Sequence, residues 1–129
     1  LGNESIVLTG NHDLLRRAIE NTILNALYHT PEESMVEISS AVTILEGKSN
    51  AQITVRDHGR GVPEEALSLI FKPFYKIADG DERHAGAGLG LAISEAAIRL
   101  HKGAITARNA DGGGLIIAIV LPIDSPAAS

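Results

Sequence analysis

Apolar positions along the chain follow two periods. Leu15, Ile19, Ile23, Ala26 and Leu27 recur at helical spacing and predict a helix over residues 14–29 with these side chains as its core face. Asn11, His12 and Asp13 offer N-cap residues before it, and Thr30-Pro31 stops it. Shorter runs read as strands. Residues 5–9 form an apolar run between Gly2 and Gly10 that reads as an edge strand. Residues 36–45 and 51–57 read as a hairpin joined by the turn-rich loop 46–50. Pro63 at a first helical position starts a short helix reaching residue 70. Residues 89–101 are expected to form a third helix, with Gly103 as its C′ residue. Strands over 104–109 and 115–121 flank the turn Asp111-Gly112-Gly113-Gly114. Residues 72–87 carry no period and read as a long lid-like loop. The sum is an α+β two-layer sandwich, a mixed sheet of about five strands with three helices on one face.

Composition narrows the class. A chain of 129 residues with 44% hydrophobic and 21% charged positions is ordinary for a globular protein and is read as one domain, 1–129, with its core over 5–122 and a frayed tail from 124. Net charge −5 argues against a general binder of nucleic acid or anionic membrane. With no cysteine there is no disulfide framework and no thiolate metal site. The longest apolar run, 115–121, is a strand's length and far short of a bilayer span. The start of the chain, without a basic leader or an initiator methionine, reads as an excised piece of something longer.

Candidate chemistry centres on two glycine-containing runs. Gly86-Ala87-Gly88-Leu89-Gly90 stands directly before a helical segment, where backbone N–H groups and the helix dipole suit phosphate. Asp57-His58-Gly59-Arg60-Gly61 ends a strand with a carboxylate and turns through two glycines. One run is expected to hold the phosphates of a nucleotide and the other its base, with Asp57 accepting from an exocyclic amine and so selecting adenine over guanine. A turn-forming Asp is the plainer alternative. Asn21 and Asn25, with His29 a further four on, form a polar seam in the first helix, where asparagine is unfavourable. They are either a solvent-facing stripe or amide ligands of a hard cation such as Mg²⁺. Phe71-Lys72-Pro73-Phe74-Tyr75-Lys76 is a small hydrophobic plug that anchors the lid's root, with Lys76 and Arg83 as cations for phosphate. His12, His58, His84 and His101 lack metal-ligand spacing and read as surface residues. No Gly-Lys-Ser/Thr follows the glycine run, which excludes a Walker loop. Its late position, after a lid-like loop, argues against a dinucleotide fold.

In this order Asn21-x3-Asn25, Asp57-x-Gly-x-Gly61, Phe71-x-Pro-Phe74 and Gly86-x-Gly-Leu-Gly90 resemble the N, G1, F and G2 boxes of the ATP-binding catalytic domain of sensor histidine kinases. The resemblance runs from about residue 5 to 122, and the wording around Leu15 to Asn21 and Ala97 to His101 is similar to that of envelope-stress sensors. It implies the Bergerat fold, with ATP and Mg²⁺ bound. By the same resemblance Asn25 ligates Mg²⁺, Asn21 lies near the phosphates, and Asp57 bonds the adenine amine. Gly59, Gly61, Val62 and Ile70 line the base pocket, Tyr75 and Lys76 belong to the lid, and Gly86, Gly88, Leu89 and Gly90 wrap the phosphates. Tyr28 and His29 stand where kinases often carry a cation and an aromatic, and Ala87 where Thr is frequent.

The implied activity is transfer of the γ-phosphoryl group, with Asn25 and Lys76 as catalytic residues, to a histidine on a separate dimerisation and phosphoacceptor domain. A response regulator is the next partner. The implied setting is a cytoplasmic domain of an inner-membrane sensor, making no direct contact with membrane or nucleic acid. Hydrolytic relatives place a glutamate four residues before the metal-binding Asn; here that residue is Asn21, and Glu20 points about 100° away. Two alternatives remain open, a nucleotide-binding regulatory module with degraded kinase activity and an anti-sigma-type serine kinase.

Overall fold

The computed structural model describes residues 10–31, 34–73, 75 and 90–123. The edge strand expected at 5–9, most of the lid-like loop and the tail from 124 lie outside them.

The first helix, α1 (His12–His29), is capped as its sequence suggests. The Asn11 carboxamide oxygen accepts from the Leu14 N–H at 3.0 Å, which satisfies one of the donors a helix start leaves open. Its buried stripe is Ala18, Thr22 and Ala26, with Leu14, Leu15 and Ile19 packed beside it. Leu27, expected in the core, is 55% exposed. At 100° per residue Leu27 lies opposite Ala18, so the stripe of small residues, not the largest hydrophobes, sets the inward face.

That small stripe receives α2 (Gly90–Leu100). Ser94, fully buried, donates to the Ala18 carbonyl of α1 at 2.8 Å, and the Thr22 hydroxyl reaches the same carbonyl at 2.8 Å. Two buried hydroxyls are thereby satisfied at the line where the helices meet.

The second helix ends differently from expectation. Lys102 takes the left-handed conformation, φ 63°, and the Gly103 N–H reaches back to the Ile98 carbonyl at 2.9 Å while Lys102 N–H reaches Arg99 at 2.9 Å. This is a Schellman ending with Lys at C′ and Gly103 one place later. The glycine is needed there for space: a Cβ on Gly103 would lie 2.3 Å from the Val120 carbonyl oxygen. His101, expected at the surface, is half-buried and ties the helix ends together, accepting from the Asn11 N–H at 2.8 Å with its other ring nitrogen 2.8 Å from the Ala97 carbonyl.

The strands are β1 (Glu37–Leu45), β2 (Lys48–Arg56), β3 (Ala104–Asn109) and β4 (Leu115–Pro122), in the order β1-β2-β4-β3. Every pairing among the described residues is antiparallel, so the sheet has four strands here rather than about five, and no parallel neighbour. The hairpin loop is Glu46-Gly47, both with positive φ, a two-residue turn whose twist suits the strands; Leu45 pairs with Lys48. The loop expected over 46–50 is therefore mostly strand. The helix expected from Pro63 to Ile70 is two single turns of 3-10 helix, Glu64–Ala66 and Leu69–Phe71.

Alternate residues Leu115, Ile117, Ile119 and Leu121 of central β4 face the core, joined by Ile105, Ile70, Phe71, Leu91 and Ile98. β2 and β3 both run antiparallel to β4, so their C-terminal ends share one end of the sheet with the start of β4.

The Gly103 contact makes a stability prediction. Gly103→Ala should lower unfolding free energy by about 2–3 kcal/mol through overpacking, whereas Lys102→Gly should raise it by about 0.5–1 kcal/mol by relieving the left-handed residue. Urea denaturation of the two variants reads both signs.

Candidate functional site

The end of the sheet where β2 and β3 finish collects the polar residues. Alternation along β2 puts Asp57 on the same face as Ala51 and Val55, and the carboxylate is 2% exposed. Its Oδ1 accepts two backbone N–H groups from separate segments, Gly59 at 3.0 Å and Leu115 at 3.0 Å. The Asp57 N–H donates in turn to the Leu115 carbonyl at 2.9 Å. A carboxylate buried this deeply is tolerated because charge-assisted bonds replace its water. Among the described residues both of its side-chain bonds fall on Oδ1.

The loop after Asp57 lies against the end of α1. The His58 N–H donates to the hydroxyl of Thr30, the residue capping α1, at 3.2 Å. A Cβ on Gly59 would meet the His29 carbonyl oxygen at 2.1 Å, so only glycine allows that approach. His58, expected at the surface, is half-buried and 2.9 Å from the Glu37 carboxylate of β1. Val62 is buried and so is Ile70, both in the core cluster.

At the middle of α1, Asn21 meets the start of α2: a Cβ placed on Gly90 would lie 3.9 Å from the Asn21 Cβ. Asn21 and Asn25 are half-buried on the flank of the Ala18–Thr22–Ala26 stripe, and Tyr28 and His29 are exposed. The seam is thus neither core nor open surface. Glu20 lies on the outer side, 3.7 Å from Arg16. Tyr75 is half-buried and packs against the core, as a plug residue should. Lys76, Arg83, Gly86, Gly88 and Leu89 lie outside the described residues, as does Phe74. No cluster of three or more metal-ligating His, Asp or Glu occurs among the described residues. Asn25, half-buried on the α1 flank, offers a neutral amide oxygen, a donor type that a hard cation such as Mg²⁺ accepts.

One residue escaped the sequence reading. Asn109, the last residue of β3, bonds both backbone groups of Val62, accepting from its N–H at 2.8 Å and donating to its carbonyl at 2.6 Å. The signal was present: period two along β3 puts Asn109 on the core face with Ile105 and Ala107, and an amide there needs partners.

With this geometry the chain can be compared with known proteins. Residues 10–125 match the family described as Histidine kinase-, DNA gyrase B-, and HSP90-like ATPase. The chain belongs to this family, as an ATP-binding domain of the histidine kinase type. It is 40% identical over 117 residues to the sensor histidine kinase CpxA of Escherichia coli (strain K12), covering 90% of this chain and 24% of that protein. It is 39% identical over 111 residues to the signal transduction histidine-protein kinase AfsQ2 of Streptomyces coelicolor, covering 85% of this chain and 20% of AfsQ2. The chain thus spans a quarter or less of these relatives. Among solved structures, the mycobacterial sensor histidine kinase MprB superposes with TM-score 0.75 at 28% identity, covering 90% of this chain and 76% of that one. Full-length ShkA, in complex with AMPPNP, superposes with TM-score 0.74 at 26% identity, covering 94% of this chain and 24% of that one.

The double use of Asp57 Oδ1 predicts a split between two substitutions. Asp57→Ala strands two buried N–H groups and should cost about 2–4 kcal/mol of stability. Asp57→Asn keeps an oxygen for both and should cost about 1 kcal/mol or less. Thermal unfolding of both variants checks the difference.

Proposed function

We propose that this chain binds Mg-ATP and delivers the γ-phosphoryl group to a histidine on a dimerisation and phosphoacceptor domain of the same parent protein. That parent is a sensor kinase of the inner membrane, with this part in the cytoplasm, and a response regulator receives the phosphoryl group next. The observation that carries the reading is Asp57, a buried carboxylate with one oxygen engaged by backbone and the other left to accept from an adenine amine. Membership of the ATPase family supports it.

Each residue then has a task. Asp57 selects adenine, because guanine offers a carbonyl where adenine offers an amine, and a carboxylate can only accept. Gly59, Gly61 and Val62 supply backbone along the base, with Ile70 behind them. Asn21 sits at the phosphate end, beside the N-terminus of α2 and Gly90, where helix N–H groups suit anions. Gly86, Gly88 and Leu89 continue that cradle, while Tyr75, Lys76 and Arg83 close over it. Asn25 supplies an amide oxygen to the metal. Magnesium, when bound, neutralises phosphate charge. The eight helical steps from Asn21 to His29 rise about 12 Å, which spaces the phosphate end from the base end along one helix.

Transfer is favoured over hydrolysis by the residue four before Asn25. Asn21 cannot take a proton from water, and the Glu20 carboxylate is turned to the outside of α1, beside Arg16. Positioning and charge neutralisation are what remain for the protein to supply.

The test is titration of an ATP analogue with and without Mg²⁺. Magnesium should tighten binding to the wild type and have no such effect on Asn25→Ala. Asp57→Asn should weaken ATP by roughly tenfold or more, the equivalent of one charged hydrogen bond. The chain alone should bind ATP without labelling itself, as it contains no His-Glu-x-x-x-Pro segment. Uptake of acid-labile phosphate by the isolated chain would overturn the assignment of roles.

A further inference from the structure

We infer that Asn109 is a positioning residue for the base end of the site, holding the Gly61–Val62 backbone in its nucleotide-ready form. The inference rests on the reading of the Asp57 end as the base pocket. The chain leaves the sheet when β2 ends at Arg56, so Val62, six residues on, has no strand neighbour to pair its N–H and carbonyl. Asn109 pairs both, at 2.8 and 2.6 Å, as a neighbouring strand would. A carboxamide is the side-chain group that presents one donor and one acceptor in a single plane, and Val62 offers the complementary pair. Reversing the amide would set donor against donor and acceptor against acceptor.

The clamp also explains Gly61. That residue has φ +76°, and a Cβ on it would lie 2.6 Å from the Asn109 Oδ1. Asn109 thus presses flat against a backbone that only glycine keeps narrow enough. It is also in line with Asp57 across the sheet: Asn109 pairs with Leu115, and the Leu115 N–H donates to the Asp57 Oδ1 at 3.0 Å. The residue that orients the acceptor, Leu115, is the strand partner of the residue that holds the loop. Releasing the loop should cost recognition of the base, because the free protein must then order it on binding.

The experiment compares ATP and GTP binding to the wild type, Asn109→Ala and Asn109→Asp, with thermal unfolding of each. The Asp variant matches the shape of Asn109 and keeps the acceptor, but it sets a carboxylate oxygen against the Val62 carbonyl. Both variants should lose about tenfold in ATP affinity, with GTP affinity unchanged, so that the preference for ATP falls. Wild-type affinity in Asn109→Asp, or equal losses for ATP and GTP, would overturn the inference in favour of a general packing role. Hydrogen exchange at the Val62 amide of the free wild type needs no variant. Protection is expected, and exchange at the rate of an open loop would refute the clamp. A wild type that binds neither nucleotide sinks the Mg-ATP reading and this inference with it; ATP binding with unaltered variants sinks this inference alone.

Discussion

One carboxylate oxygen holds the working end of this molecule together. Asp57 Oδ1 accepts from Gly59, in the loop that leaves β2, and from Leu115, at the start of β4. Those segments are far apart in sequence, and the same end is held in register by the Asp57 N–H bond to the Leu115 carbonyl and the pairing of Arg56 with Ile116. Burying a carboxylate costs several kcal/mol before compensation, and two charge-assisted bonds at about 1.5–3 kcal/mol each roughly offset it. The arrangement is therefore close to neutral for stability. What it secures is placement: the carboxylate is held in a fixed position at the end of the sheet.

The remaining contacts position that edge against α1. Thr30 caps the helix and receives the His58 N–H, and Gly59 fits under the His29 carbonyl. At the middle of α1 the Ala18–Thr22 stripe receives Ser94, which puts the start of α2 beside Asn21. α1 is thus held by different means along its length, backbone contact at its C-terminal end and small-residue packing at its middle.

Much of this was legible in the sequence because it is local. The Asn11 cap, the order of the elements and the placing of Asp57 at the end of an alternating strand all follow from neighbours within a few positions. Local pattern failed where a distant contact decided. Leu27 fits the helical period, yet the helix turns its small residues inward because α2 must come close. Gly103 reads as a C′ residue, but the approach of β4 requires it one place on, leaving the left-handed position to Lys102. Asn109 carries no motif, since its partner lies 47 positions away. Lys76, Arg83, Gly86, Gly88 and Leu89 lie outside the described residues, so of the proposed phosphate end the structure describes Asn21, Gly90 and the helix start.

The residues at 28 and 29 look unusual as letters but less so in place. If the end of α1 served the base mainly through side chains, an exposed Tyr28, 51% open, and a histidine in place of a common aromatic would weaken the site. Yet the close approach to Gly59 is made by the His29 carbonyl, a group every residue carries. A contact made by backbone does not depend on which side chain residue 29 carries, whereas the approach at Gly59 excludes any Cβ. The constraint between the end of α1 and the loop after β2 therefore falls on Gly59, and Asp57 fixes that loop through the Gly59 N–H.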